Sequence, residues 1–219
     1  MDLCKNLKNL VIPENYVFLS LDVSSLYTNI PCDLAIETIE KRCNKIISNC
    51  FIHFKNIVDC THFLFNNTFF SFNKKFYQQH SGLSMGSPIS GLYADMVMTD
   101  IETRCLHLLK FIHNITPLFY YRYIDDTILS VDKNHVDTIL DIFNSYHEKL
   151  KFTYEIEIKN SISFLDTLLI NQNNKITTNW YKKPTSSDRF INFTSKHPIQ
   201  QKRAMVYNLV DRSILLSNQ

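Results

Sequence analysis

A chain of 219 residues, 45% of them hydrophobic and 13% aromatic, can bury one sizeable core, and these proportions exclude an intrinsically disordered protein. No run approaches the ~18 consecutive apolar residues of a membrane span, and the stretch from Met1 to Lys5 lacks a signal-peptide core. A soluble, intracellular protein with no membrane partner is therefore expected. The net charge of +2 is unevenly divided: from Asn171 onward, eight Lys or Arg residues face only Asp188 and Asp211. An acidic body with a basic tail suits a metal site beside a phosphate-binding surface, and equally an ordinary solvated face. The six cysteines (Cys4, Cys32, Cys43, Cys50, Cys60, Cys105) show no Cys-x-x-Cys spacing and read as free thiols, mostly buried, rather than as zinc ligands.

In chain order, residues 17–23 (VFLSLDV) form an apolar β run that reaches Asp22. Pro31 then opens a helical pattern in which Leu34, Ile39, Cys43 and Ile46 recur, and a second apolar-periodic stretch covers residues 57–65. TFFSF and KFYQQ flank Asn73-Lys74 as a hairpin, and residues 88–108 read as a helix entered through Pro88. Two β runs, 118–124 and 127–131, flank Asp125-Asp126. Residues 135–150 place Val136, Ile139, Leu140, Phe143 and Leu150 on one helical face, and 152–158 alternates as a half-exposed strand. Residues 162–170 and 175–181 suggest a further hairpin around an Asn-rich turn, and 198–216 a basic amphipathic helix. The sum is an α+β chain with a small, mainly antiparallel sheet backed by helices.

Three segments carry candidate chemistry. Adjacent aspartates are costly within a strand, because strands disfavour Asp and neighbouring carboxylates repel. A tight turn that offers Asp125 and Asp126 to a divalent cation removes both objections, although Asp-Asp is also a common surface turn. Asp22 ends an apolar strand, as a third carboxylate of the same site or as a strand-end cap or salt-bridge partner. Three converging carboxylates suit Mg²⁺, which takes oxygen ligands and substrate phosphates, and two such ions serve phosphoryl chemistry. All three glycines, Gly82, Gly86 and Gly91, fall within Ser81–Gly91, which is either an ordinary turn before a helix or a backbone cradle for a nucleotide or template strand.

LDVSSLYTNIP, FYQQHSGLSMGSPISGLYADM and YRYIDD, in this order, resemble motifs A, B and C of reverse transcriptases. With FTYEIE, FLDTLLI and WYKKPTSSDRFINFTSKHP, the similarity covers nearly the whole chain and is closest to Penelope-like retroelements, relatives of telomerase reverse transcriptase. The resemblance implies a right-hand polymerase: a palm over residues 1–178, part of the fingers inserted at 32–80, and the truncated start of a thumb at 179–219. It implies catalysis by Asp22, Asp125 and Asp126, with the Val23 carbonyl as a further ligand to Mg²⁺ or its substitute Mn²⁺. Tyr27 resembles the steric gate against a ribose 2′-hydroxyl, or is a core tyrosine. Gln79, Gly82, Met85, Gly86, Ser87, Pro88 and Tyr123 would line the nucleotide and template side. Phe164, Leu165 and Asp166 resemble the primer-grip hairpin, with Asp166 either part of that grip or a structural residue. Lys182, Lys183, Lys196 and His197 would meet primer-template phosphates from the thumb, or be solvated surface residues. RNA template, DNA primer and dNTP are the implied partners, and a nuclear location the implied setting.

The chain departs from the pattern in four places. Nothing before about residue 15 resembles the upstream fingers motifs, and residues 32–80 offer no evident Lys/Arg clamp for a triphosphate. Gly91 stands where many relatives have proline, and no GIY-YIG endonuclease follows. A fragment of a longer protein is the expectation. Two other classes stay open: a catalytically silent retroelement remnant that binds nucleic acid through its basic tail, and another two-metal palm enzyme such as a cyclase.

Overall fold

The computed structural model describes residues 2–46, 53–187 and 189–217. Met1, Cys50 and Asp188, and the side chains of Cys43 and Ile46, lie outside what it describes. A four-stranded antiparallel sheet forms the centre, in the order β4 (Phe119–Tyr123), β5 (Asp126–Asp132), β1 (Tyr16–Val23), β6 (Phe152–Ile156). Alternation along β1 explains its two-sided packing. Leu19, Leu21 and Val23 enter a core with α2 (Leu26–Asn29), α3 (Cys32–Ile46), α5 (Ser90–Phe111) and α6 (Val136–Asn144), whose buried residues include Leu26, Ala35, Ile39, Val97, Met98, Ile101, Ile139 and Phe143. Phe18, from the opposite face, joins Phe119 and Ile128 against Ile162, Phe164, Leu169 and Ile176. Those last four residues belong to a three-stranded meander of β7 (Ser161–Phe164), β8 (Thr167–Gln172) and β9 (Lys175–Trp180). Ser20 and Asp22 share the Phe18 side of β1, so the strand directs its carboxylate toward the meander rather than the helices.

Between α3 and α5 lie α4 (Phe54–Asn66) and a separate hairpin, β2 (Phe69–Phe72) and β3 (Lys75–Gln78), closed by Asn73 and Lys74 at φ 48° and 60°. α1 (Asp2–Leu7) is too short to leave a periodic signature, yet it buries Leu7 completely. Among the described cysteines, Cys4 and Cys105 are buried, Cys60 is exposed and Cys32 lies between; all four are free thiols.

Three elements differ from expectation. α6 stops at Asn144 instead of continuing to residue 150. The Asn144 carboxamide turns back onto β6, accepting from Phe152 N at 2.8 Å and donating to Phe152 O at 3.3 Å. Leu150 is still buried, but a loop delivers it. The run 162–170 is two strands, broken at Leu165, whose φ is 54°, so the expected hairpin is a three-stranded meander. β6 does not alternate cleanly, because Thr153, Tyr154 and Glu155 are all exposed on this edge strand. The final helix, α7 (Ile199–Leu216), forms as expected but buries no residue, leaving Val206, Tyr207, Val210 and Ile214 exposed.

Candidate active site

Register decides which carboxylates meet. β1 and β5 pair Tyr16 with Asp132 through to Leu21 with Thr127, so Asp22 stands one step further along, beside Asp126. On its other side Asp22 pairs with Thr153 of β6. Tyr123 pairs with Asp126 and closes the β4–β5 turn, leaving Ile124 and Asp125 at its tip. Asp22, Tyr123 and Asp126 line one cleft of about 540 Å³ between the central sheet and the meander. Ser20, Glu155, Phe164, Leu165, Asp166 and Lys183 complete much of its wall. Two apolar residues take left-handed backbone here, Ile124 at the tip of the β4–β5 turn with φ 59° and Leu165 in the cleft wall with φ 54°.

This placement couples the charges. Partial desolvation first, and then the Asp125 carboxylate, raise the Asp22 carboxyl above its ordinary value, and Glu155 adds to the rise. Desolvation, Asp125 and Asp22 likewise raise Asp126, while Lys183 opposes them. Among the described residues, no three His, Cys, Asp or Glu side chains are drawn close enough to form a metal-holding group. The donor set nevertheless fits a hard divalent cation, because mutually repelling carboxylates at one sheet end gain most from a small, doubly charged oxygen-seeking ion. A raised carboxyl pKa means the fold is relatively most stable below the unfolded-state value, and loses that part as pH rises through the folded-state value. Asp22→Asn is accordingly expected to raise the thermal midpoint by about 2 °C in metal-free buffer at neutral pH. The difference should vanish in scans at pH below the ordinary carboxylate value.

The remaining candidates fall elsewhere. Gln79, Gly82 and Ser87 line a small cavity of about 40 Å³ with Leu64, Phe65 and Ile89. Met85 is exposed, as is Pro88, two residues before α5 begins. Tyr27 is half-buried against the helical core, and its backbone carbonyl accepts from Leu83 N at 2.6 Å. Val23 is buried at the end of β1. Lys196 and His197 are exposed, the latter with Nδ1 3.0 Å from Ser195 Oγ; neither reaches the cleft lining, nor does Lys182. Asp166 is 3.4 Å from Arg212 of α7, in an exposed ion pair.

The glycine loop approaches α2 as closely as backbone allows. A Cβ on Gly82 would sit 2.6 Å from Thr28 O and 2.8 Å from Thr28 Cα, at φ +79°. On Gly86, at φ +99°, it would meet nothing within 4 Å. Gly82→Ala is expected to cost about 2 kcal/mol or more in urea unfolding, against about 1 kcal/mol for Gly86→Ala. Equal costs would show that conformation alone, and not contact with Thr28, dictates glycine here.

Sequence reasoning missed Arg122. Its Nε donates to Glu102 Oε1 at 2.6 Å and its Nη2 to Asp95 Oδ1 at 2.9 Å and Thr99 Oγ1 at 3.3 Å. Its Nη1 donates to Ile124 O at 2.9 Å, so α5 holds the left-handed residue of the Asp125 turn. Tyr120 also donates to Glu102, at 3.0 Å, and burial followed by Glu102 keeps that phenol protonated. The available signal was the helical spacing of Asp95, Thr99 and Glu102, a polar stripe facing β4.

An antiparallel sheet with helices on one face and paired carboxylates on an end hairpin is the palm architecture of template-directed nucleic-acid polymerases. Residues 4–161 match the reverse transcriptase (RNA-dependent DNA polymerase) family, and the chain belongs to it. Residues 189–219 match the animal helix-turn-helix domain. No curated protein matches the sequence. Among solved structures, the chain is similar to telomerase from Candida albicans in complex with a fragment of telomeric RNA, at TM-score 0.66 and 15% identity over 92% of this chain and 35% of that one. Telomerase from Candida tropicalis is similar at TM-score 0.57 and 14% identity, over 96% of this chain and 35% of that one. The RNA-dependent RNA polymerase of a human picobirnavirus is similar at TM-score 0.57 and 10% identity, over 81% and 34%. The chain thus spans about a third of the length of these structures, and at such identities the likeness concerns the fold.

Proposed function

We propose that this chain is the catalytic part of a Penelope-like reverse transcriptase, acting in the nucleus and extending a DNA primer with dNTPs on an RNA template. The observation that carries the reading is the shared sheet end: Asp22 and Asp126 line one cleft, and Asp125 raises the carboxyl pKa of Asp22 and Asp126. Two divalent ions, Mg²⁺ or Mn²⁺, held by Asp22, Asp125, Asp126 and the Val23 carbonyl would supply charge neutralisation for phosphoryl transfer. The primer 3′-oxygen forms a bond to the dNTP α-phosphorus as the bond to pyrophosphate breaks and the hydroxyl proton leaves to solvent.

The protein's share is alignment and a preset electrostatic field. Arg122 fixes the turn that presents Asp125. Phe164, Leu165 and Asp166 form the opposite wall of the cleft, where a primer end would rest, and Lys183 stands where a phosphate would pass. Tyr27 would reject a 2′-hydroxyl, and the loop from Gln79 through Pro88, with Tyr123, would border the incoming nucleotide and its template. Residues 1–178 act as palm with a fingers insertion at 32–80, and 179–219 begin the thumb, where Lys182, Lys196 and His197 would track duplex phosphates.

Primer extension on an RNA template in Mg²⁺ or Mn²⁺ tests the reading. Extension that disappears in Asp22→Asn supports it. Salt-sensitive RNA binding without extension, unchanged by that substitution, would instead support the binding-only reading.

A further inference from the structure

The β2–β3 hairpin spends its aromatic residues outside the core. All eight strand positions are exposed, including Phe72 at 69% and Phe76 at 84%, and in the preceding helix α4 Phe63 is 65% exposed. The cross-strand Phe70–Tyr77 pair supports the hairpin itself, but Phe72 and Phe76 stand opposite Lys75 and Ser71 and pair with no ring across the strands. Exposed apolar patches of this sort mark contact surfaces. The pairing sorts the residues into two faces: Phe70, Phe72, Lys75 and Tyr77 on one, Phe69, Ser71, Phe76 and Gln78 on the other. On the first face Phe70 and Tyr77 lie nearly parallel, with ring centroids 5.4 Å apart and planes 18° apart.

Charge selects the occupant. No acidic residue stands between Asp59 and Asp95, whereas Lys74 and Lys75 occupy the hairpin tip. Open aromatic faces beside lysines, without carboxylates, match unpaired bases on a phosphate backbone. The lysines also oppose pairing of this open edge with a second hairpin. The hairpin is tied at its base, where Gln79 N donates to Thr68 O at 2.9 Å and the Gln78 carboxamide donates to Asn66 O at 2.7 Å. From there the chain runs directly into the glycine loop that packs on α2.

We propose that the β2–β3 hairpin is a stacking platform for single-stranded nucleic acid, with bases on Phe70, Phe72 and Tyr77 and phosphates at Lys74 and Lys75. That the bound strand is the unpaired template rests on the polymerase reading above; the platform itself does not.

The test is fluorescence anisotropy of an unstructured polypyrimidine RNA oligonucleotide with the full chain. Phe72→Ala and Tyr77→Ala are each expected to weaken binding at least about tenfold, and an abasic oligonucleotide of equal length to lose more than either variant does. Tyr77→Trp should bind like the unsubstituted chain, and Lys74→Gln should lower the salt dependence. Asp125→Asn should bind unchanged, which separates this surface from the catalytic reading. The proposal is overturned if the alanine variants, folded by circular dichroism, bind RNA as the unsubstituted chain does. It is overturned equally if they only dissolve a dimer while RNA affinity holds, because the aromatic face is then a protein contact.

Discussion

Asp125→Asn is expected to cut single-nucleotide extension by at least about a thousandfold, since each tenfold corresponds to ~1.4 kcal/mol and charge stabilisation at such a site is worth several kcal/mol. The substitution is nearly isosteric, and the turn is held through the backbone carbonyl of Ile124, so the hairpin should survive it. What changes is charge. Asp125 raises the carboxyl pKa of both Asp22 and Asp126 by repulsion, and its removal lets both move back toward ordinary carboxylate behaviour. The variant should therefore be at least as stable as the unsubstituted chain while losing extension. Single-turnover incorporation and thermal melting on the same preparation check both halves. Extension within tenfold of the unsubstituted chain would remove Asp125 from the chemistry.

Arg122→Ala should affect both stability and activity. The Arg122 and Glu102 side chains are only 13% and 14% exposed, so loss of the guanidinium strands a carboxylate whose remaining partner is the Tyr120 hydroxyl. Breaking a buried pair costs about 3–5 kcal/mol; with Asp95 half in solvent, about 2–3 kcal/mol is expected here in urea unfolding. Lysine should not rescue, because one ammonium cannot reproduce the fork that reaches Glu102, Asp95 and the Ile124 carbonyl together. The loss of the Ile124 tether predicts a separate effect. Left-handed backbone at a β-branched residue costs roughly 1–3 kcal/mol and persists only where its surroundings hold it. Arg122→Met combined with Glu102→Met should thus recover most of the stability, yet leave extension reduced at least about tenfold, as expected when reacting groups are misplaced by an ångström. Full recovery of both would make the network structural only.

Much of the central sheet was legible in the sequence because its signals are local. The apolar β run of residues 17–23, the Asp-Asp interruption between two β runs and the confinement of glycine to 81–91 each describe a few neighbouring residues. The β2–β3 hairpin followed from Asn73-Lys74 in the same way, and its turn has both residues at positive φ. What was not legible depends on contacts distant along the chain. Asn144 ends α6 because its carboxamide finds the backbone of Phe152, and no periodicity in 135–150 announces that partner. Leu165 gives no turn signal of its own; packing of Phe164 and Leu169 on the sheet beside Phe18 imposes the break. Arg122 reads as a polar interruption in a strand until α5 is placed against β4 and supplies Asp95 and Glu102. Glu155 carries no signal of its own within FTYEIE, and its charge matters because β6 pairs it with Ser20 at the cleft.

The most direct measurement of the central claim is anomalous diffraction from crystals of the full chain soaked in Mn²⁺. The account predicts manganese peaks bounded jointly by carboxylate oxygens of Asp22, Asp125 and Asp126. Manganese bound elsewhere, or held by the β4–β5 turn with Asp22 beyond coordinating reach, would contradict it.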